Sequence, residues 1–246
     1  MRKKNKMNIQ WKDYMKDLQK QLMETNYIKP GLLPDIDLYM DQVISFMDAH
    51  LESTKRFEDD KLLTKTMINN YTKNDLIPPP DKKKYSKDHM YLLIFIYYMK
   101  NFLSISDVKS IIAPMADMFC KDKGDISLEE IYNEIYDMEY SSSFGFSKDV
   151  MKKFVASKKT FTQVNADDER DYLQMFSFIA MLSFDVYLKR NLIEAIIDDV
   201  LTEKPEAEKK PEKKTEKKPE KKAEKKPEKQ PEGTQVGGPG GEPVAG

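Results

Sequence analysis

Three consecutive prolines, Pro78-Pro79-Pro80, fix the plan of this chain. Each lacks an N–H and pushes the residue before it away from helical geometry, so no helix can cross them. Upstream, Leu63 to Lys73 reads as a short helix, with Leu63, Met67, Ile68 and Tyr71 on one face at i, i+4, i+5 and i+8. The opposite face carries Thr64, Lys65, Thr66, Asn69, Asn70 and Lys73. Downstream, Asp81 to Tyr85 is a hairpin-sized connection holding Lys82, Lys83 and Lys84. Ser86 then caps a second helix that is apolar nearly all round from Met90 to Met99.

A polar-faced helix beside a basic loop, both braced on a buried helix, suits nucleic acid. Thr, Asn and Lys can donate and accept at base edges in the major groove, and Asn pairs well with adenine. Lys82, Lys83 and Lys84 would meet phosphate, which sets affinity and register. The plainer reading is a solvated helix and a solvated turn on an ordinary all-α domain.

The same order of features resembles the winged helix-turn-helix of the MerR family of transcription regulators. Met67-Ile68-Asn69-Asn70-Tyr71 falls on that family's recognition helix, and Leu76-Ile77-Pro78-Pro79 is similar to the segment leading into its wing. Lys83 stands where the wing usually carries arginine, followed by Tyr85, Ser86 and Asp88. Phe102 to Lys109 resembles the next capped helix. The chain departs from the pattern at Asn69, where a phosphate-binding arginine is usual, and at Asp75, where glycine is usual. A second resemblance rests on Leu33 to Val43 and Thr64 to Tyr71, within about residues 33 to 140. It is to an uncharacterised family of low-GC Gram-positive bacteria, domain of unknown function 1836, which brings no assigned activity. Together the residues and the MerR resemblance nominate Thr64, Lys65, Thr66, Asn69, Asn70, Lys73, Lys82, Lys83, Lys84 and Tyr85 as DNA-contacting.

Not all 246 residues can fold. From 203 to 232 the chain is almost wholly Glu, Lys, Pro and Ala, with Pro211, Thr215, Pro219, Ala223, Pro227 and Pro231 each followed by glutamate. Nothing apolar there offsets the entropy of ordering, so residues 203–246 read as a disordered Lys/Glu/Pro tail with a Gly-rich end. Twelve lysines against nine glutamates make residues 203–232 net positive, and positions 1–202 carry 29 basic against 32 acidic residues. Any nucleic-acid surface is therefore local, and residues 61–90 supply one with seven lysines and three acids.

The remaining expectations divide the chain into an N-terminal amphipathic helix (1–33), the winged helix-turn-helix (34–112) and a helical C-terminal region (113–202). Trp11, Tyr14, Met15, Leu18 and Leu22 line the first helix. Asp35 or Asp37 can cap a helix to about Leu51 with Tyr39, Met40, Val43, Ile44 and Met47 as its core face. Ser104 to Asp107 and Ser127 to Glu130 match capping boxes, each a helix start. Pro114 should break or bend the first of those helices. Ile131, Ile135 and Met138 mark a helix, Ser141 to Gly145 a loop, and Val150 to Val155 another short helix. The stretch from Asp168 to about Thr202 is apolar over so wide an arc that it must be buried in a bundle or against a second subunit, giving a homodimer. Its Met and Tyr content also suits a ligand pocket.

Chemistry is thinly represented. His50 and His89 lack metal-ligand spacing, and Gly31, Gly124 and Gly145 make no phosphate cradle. His89 reads as a structural residue in the first turn of a helix. The expectation is therefore a non-enzyme without cofactor or catalytic and metal sites, its small-molecule effector, if any, open. The lone Cys120 and the absence of an apolar leader or membrane span fit a cytoplasmic protein. The leading reading is a transcription regulator that binds double-stranded DNA. The runner-up is a protein–protein adaptor that keeps the winged-helix shape, favoured by Asn69 and the net-acidic body.

Overall fold

The computed structural model describes residues 14, 15, 17, 27–121 and 123–201. Most of the expected first helix and the whole Lys/Glu/Pro tail lie outside these residues. Within them the protein is mostly helical. The order is β1 (Leu38–Tyr39), α1 (Met40–Leu51), α2 (Lys65–Lys73), β2 (Lys84–Tyr85), α3 (Lys87–Met99), α4 (Ile105–Phe119), α5 (Leu128–Ser157) and α6 (Asp167–Ile196). A 3₁₀ turn, Glu52–Thr54, follows α1, and a π-helical turn, Ile197–Leu201, ends α6.

The centre is α3. Every residue from His89 to Tyr97 is buried, as an all-round apolar helix requires. Around it the core gathers Val43, Met47 and Leu51 of α1, Ile68 and Tyr71 of α2, and Val108, Ile112 and Ala116 of α4. Leu128 and Tyr132 of α5 and Ile197 join it. At the N-terminus of α3, the Lys87 ammonium reaches Asp35 at 2.7 Å and both Glu129 oxygens at 2.9–3.0 Å. One cation thus ties the chain before β1 to the start of α5.

Helix starts follow their caps. The Ser104 hydroxyl accepts from the Asp107 N–H, and the Asp107 carboxylate accepts from the Ser104 N–H. Ser127 and Glu130 repeat this, with the Glu130 carboxylate 2.7 Å from the Ser127 N–H, which holds that carboxyl below its usual range. At Ser86 the reciprocal partner is a histidine, His89.

Four expectations are corrected. The first concerns α1, which starts at Met40 because Leu38 and Tyr39 are extended, pairing antiparallel with Tyr85 and Lys84. Tyr39 is consequently exposed, and Asp35 binds Lys87 instead of capping a helix. Of the two outcomes open to Pro114, breaking α4 is the one overturned, because the helix runs through it. The predicted loop at 141–145 and short helix at 150–155 are both parts of the 30-residue α5. There the Ser141 and Ser143 hydroxyls donate to the Met138 and Tyr140 carbonyls, satisfying within the helix the polar groups that suggested a loop. Finally, α6 is not the centre of a bundle. Only Gln174 and Phe178 are buried along it, with Phe178, Val150 and Met15 forming a small second core.

Candidate nucleic-acid interface

The helix α2 is short and sharply bounded. Thr64 is its N-cap, its hydroxyl accepting from the Met67 N–H at 3.2 Å. At the other end Asp75 is left-handed (φ 55°), the Leu76 N–H donates to the Tyr71 carbonyl at 2.9 Å, and the Asp75 N–H donates to that of Thr72 at 3.2 Å. That is a Schellman motif with Asp where Gly is commonest, and the buried pair Leu76–Tyr71 supplies its apolar contact. Inward, Ile68 and Tyr71 are buried and Met67 is partly so. Outward, Lys65, Thr66, Asn69, Asn70 and Lys73 are all exposed. The structure thus brings five of the six nominated helix residues onto the solvent face. Thr64 is the sixth, and its hydroxyl is occupied by the cap.

One charge on that face is engaged: the Lys65 ammonium lies 2.5 Å from Asp41, both side chains mostly exposed. Such a pair contributes little to stability and exchanges readily for another anion. Among the described residues, no side-chain hydrogen bond or ion pair engages the head groups of Asn69 or Lys73.

The basic loop is a two-residue hairpin. The Lys84 N–H donates to the Asp81 carbonyl at 2.8 Å, and Lys82 and Lys83 between them both take positive φ (47° and 67°). This is the pattern of a type I′ turn, whose central positions normally hold Asn and Gly. Two consecutive lysines occupy conformations that cost a side-chain-bearing residue on the order of 1 kcal/mol each. Both are exposed. Lys84 is half-buried, its ammonium 5.4 Å from the centre of the Tyr39 ring. Tyr85, nominated as a DNA contact, is 3% exposed and packs edge-on against His89. Its place is the foot of the hairpin, opposite Leu38, because the strand period turns it inward where Lys84 turns out.

Sequence reasoning missed His89 as the residue that joins the prolines to α3. Its Nδ1 accepts from the Ser86 N–H (3.1 Å) and lies 2.8 Å from the Ser86 hydroxyl, while Nε2 lies 3.2 Å from the Pro78 carbonyl. The pairing requires the neutral imidazole with its proton on Nε2, donating to Pro78. Burial holds the ring's pKa below its ordinary value of 6.5. The spacing Ser86-x-x-His89 mimics a capping box, and that is the signal the residues offer.

Other candidate chemistry is sparse. Among the described residues no group of three or more His, Cys, Asp or Glu is placed to hold a metal ion, and no helix is long and apolar enough to cross a membrane. Cys120 is buried, and burial pushes its thiol up to about 11.

Residues 28–135 match the model of a family described as a domain of unknown function (DUF1836), which supports the second of the two resemblances read from the sequence. The MerR likeness is not part of that match. No curated protein and no solved structure matches the chain.

Proposed function

We propose that this protein is a DNA-binding transcription regulator built on a winged helix-turn-helix. In this reading α1 is the supporting helix, α2 the recognition helix and the Asp81–Lys84 hairpin the wing. The observation that carries it is the pairing of an exposed Lys65/Thr66/Asn69/Asn70/Lys73 face with two lysines kept at a strained hairpin tip. A turn that only had to reverse the chain would relax with Asn-Gly; strain kept at an exposed cationic tip argues for contact with an anion. Asn69 and Asn70 contact base edges, Lys65, Thr66 and Lys73 contact bases or phosphate, and Lys82 and Lys83 contact the backbone. Lys84 adds charge at shorter reach.

The regulator acts as a homodimer through α6. Tyr172, Phe176, Ile179 and Val186 are each more than half exposed, and with Ser183 they recur at alternating four- and three-residue spacing. That is the seam of a two-stranded coiled coil, and a second copy is the partner whose seam has the same repeat. Dimers of helix-turn-helix readers engage two half-sites.

A second reading is a protein–protein adaptor. The ion pair between Lys65 and Asp41, which mutes one cation of the helix face, favours it, as does the absence of arginine at Asn69.

The test is charge reversal at the hairpin tip. Lys82→Glu/Lys83→Glu should leave the helical circular dichroism intact, since both side chains are exposed, and should abolish retention of DNA by the full chain. Unchanged DNA retention would overturn the wing assignment, and release of a protein partner in its place would establish the adaptor.

A further inference from the structure

A cavity of about 230 Å³ lies between Tyr27, α3 and α5, and most of its lining is aromatic, with Met99 and Ile135 beside the rings. Tyr27, Phe95, Tyr98, Tyr132 and Tyr136 line it, and Glu139 is the one ionisable carboxylate among its lining residues; no lysine or arginine contributes. The rings are held by one another. Tyr27 lies tilted against Tyr98 with centroids 4.9 Å apart, and Phe95 meets Tyr132 edge-on at 5.6 Å.

The polar ends of three of these rings are already committed, that of Tyr98 to the Ile28 backbone. The Tyr132 hydroxyl donates to the Ile28 carbonyl, and the Tyr27 hydroxyl donates to Glu139 Oε2 across a long 3.4 Å. Burial raises the pKa values of Tyr27, Tyr98 and Tyr132, so these phenols are neutral. The lining is therefore chiefly aromatic, with one carboxylate, Glu139, at an exposed rim. Ring faces are the negative pole of the aromatic quadrupole, and a carboxylate adds a full negative charge. Anions are disfavoured twice over, and neutral apolar molecules gain only burial. The volume lies below the range of roughly 300–1,000 Å³ of sites for drug-sized molecules, which limits the occupant to a small one.

We infer that this cavity is a binding site for a small organic cation of the alkylammonium or quaternary ammonium class, held by cation–π contact with the tyrosine cage and by the Glu139 carboxylate. The site is independent of the DNA-reading proposal, because none of its walls belongs to α2 or to the hairpin.

Choline and its neutral isostere 3,3-dimethylbutan-1-ol, equal in shape and different in charge, are the probes. Each is titrated into the full chain by isothermal calorimetry, with the Met99 ε-methyl signal at the cavity wall read in parallel by NMR. Choline should bind at least about tenfold more tightly than the alcohol, the ratio that a desolvated cation–π contact sustains. Glu139→Gln should weaken choline by about tenfold and leave the alcohol unaffected. Tyr136→Leu should weaken choline without lowering the melting temperature by more than a few degrees. Equal affinity for the two probes would overturn the inference by showing an apolar hole with no charge preference. Absence of choline binding, or choline binding that persists unchanged in Glu139→Gln with the Met99 signal unmoved, would overturn it as well.

Discussion

Replacing Lys82-Lys83 with Asn-Gly should raise stability and lower DNA affinity at once. Both lysines sit at positive φ in a turn whose backbone Asn and Gly adopt freely. Relieving left-handed strain at two positions is worth roughly 1–2 kcal/mol each at most. Asn still carries a side chain, and Gly enlarges the unfolded ensemble by up to about 1 kcal/mol. The net gain comes to about 1 kcal/mol, which for a folded body of this size raises the melting temperature by roughly 2–4 °C. The same change removes two cations aimed at phosphate. The slope of log affinity against log salt should shrink by about 1.8, at roughly 0.9 for each phosphate no longer neutralised. Thermal melts followed by circular dichroism read the first quantity, and fluorescence anisotropy on a duplex between about 50 and about 300 mM salt reads the second. A stability gain with an unaltered salt slope would refute the functional reading of the strain. No stability gain would refute the strain itself.

Four further outcomes rest on the same structure. Stability should decline as pH falls from about 6.5 toward the depressed native pKa of His89, because burial of the ring, with Nδ1 already accepting from the Ser86 N–H, excludes the proton that the unfolded imidazole takes; His89→Ala, measured by denaturant titration, should flatten that decline and cost about 2 kcal/mol for the removal of two partly buried hydrogen bonds. Asp75→Gly should add about 0.5–1 kcal/mol at the end of α2, read in the same titration, since it relieves a left-handed residue in a Schellman motif. Ile68→Ala, at a position with no solvent exposure, should cost about 3 kcal/mol, and chemical denaturation would show it. Phe176→Asp should turn a dimer into a folded monomer in analytical ultracentrifugation, because the charge falls in the α6 seam while the buried Phe178 side is untouched.

Much of this arrangement is legible in the residues because local chemistry decides it. Ser104 and Ser127 announce helix starts through reciprocal side-chain bonds that span only three residues. The two faces of α2 separate by periodicity alone, and the apolar run from Met90 to Met99 can only be central. The features that escape such reading depend on partners far along the chain or on helical context. The start of α1 is set by β1 pairing with β2, whose residues lie more than forty positions away, so the capping potential of Asp35 and Asp37 goes unused. Tyr85 faces inward because of that same register. The Ser141–Ser143 tract looks like a loop until its hydroxyls turn back onto the preceding carbonyls, a choice helical context makes. At Asn69 and Asn70 the sequence supplies the chemistry and the fold supplies only exposure.

The most direct measurement is retention of mixed genomic fragments by the full chain across a salt series, beside the Lys82→Glu/Lys83→Glu variant. Both proteins carry the same Lys/Glu/Pro tail, so its charge cancels from the comparison. The account predicts that the native protein keeps a subset of fragments near physiological salt, with a slope corresponding to several phosphates, and that the variant keeps none. Retention by neither protein even at low salt, or equal retention by both, would contradict it.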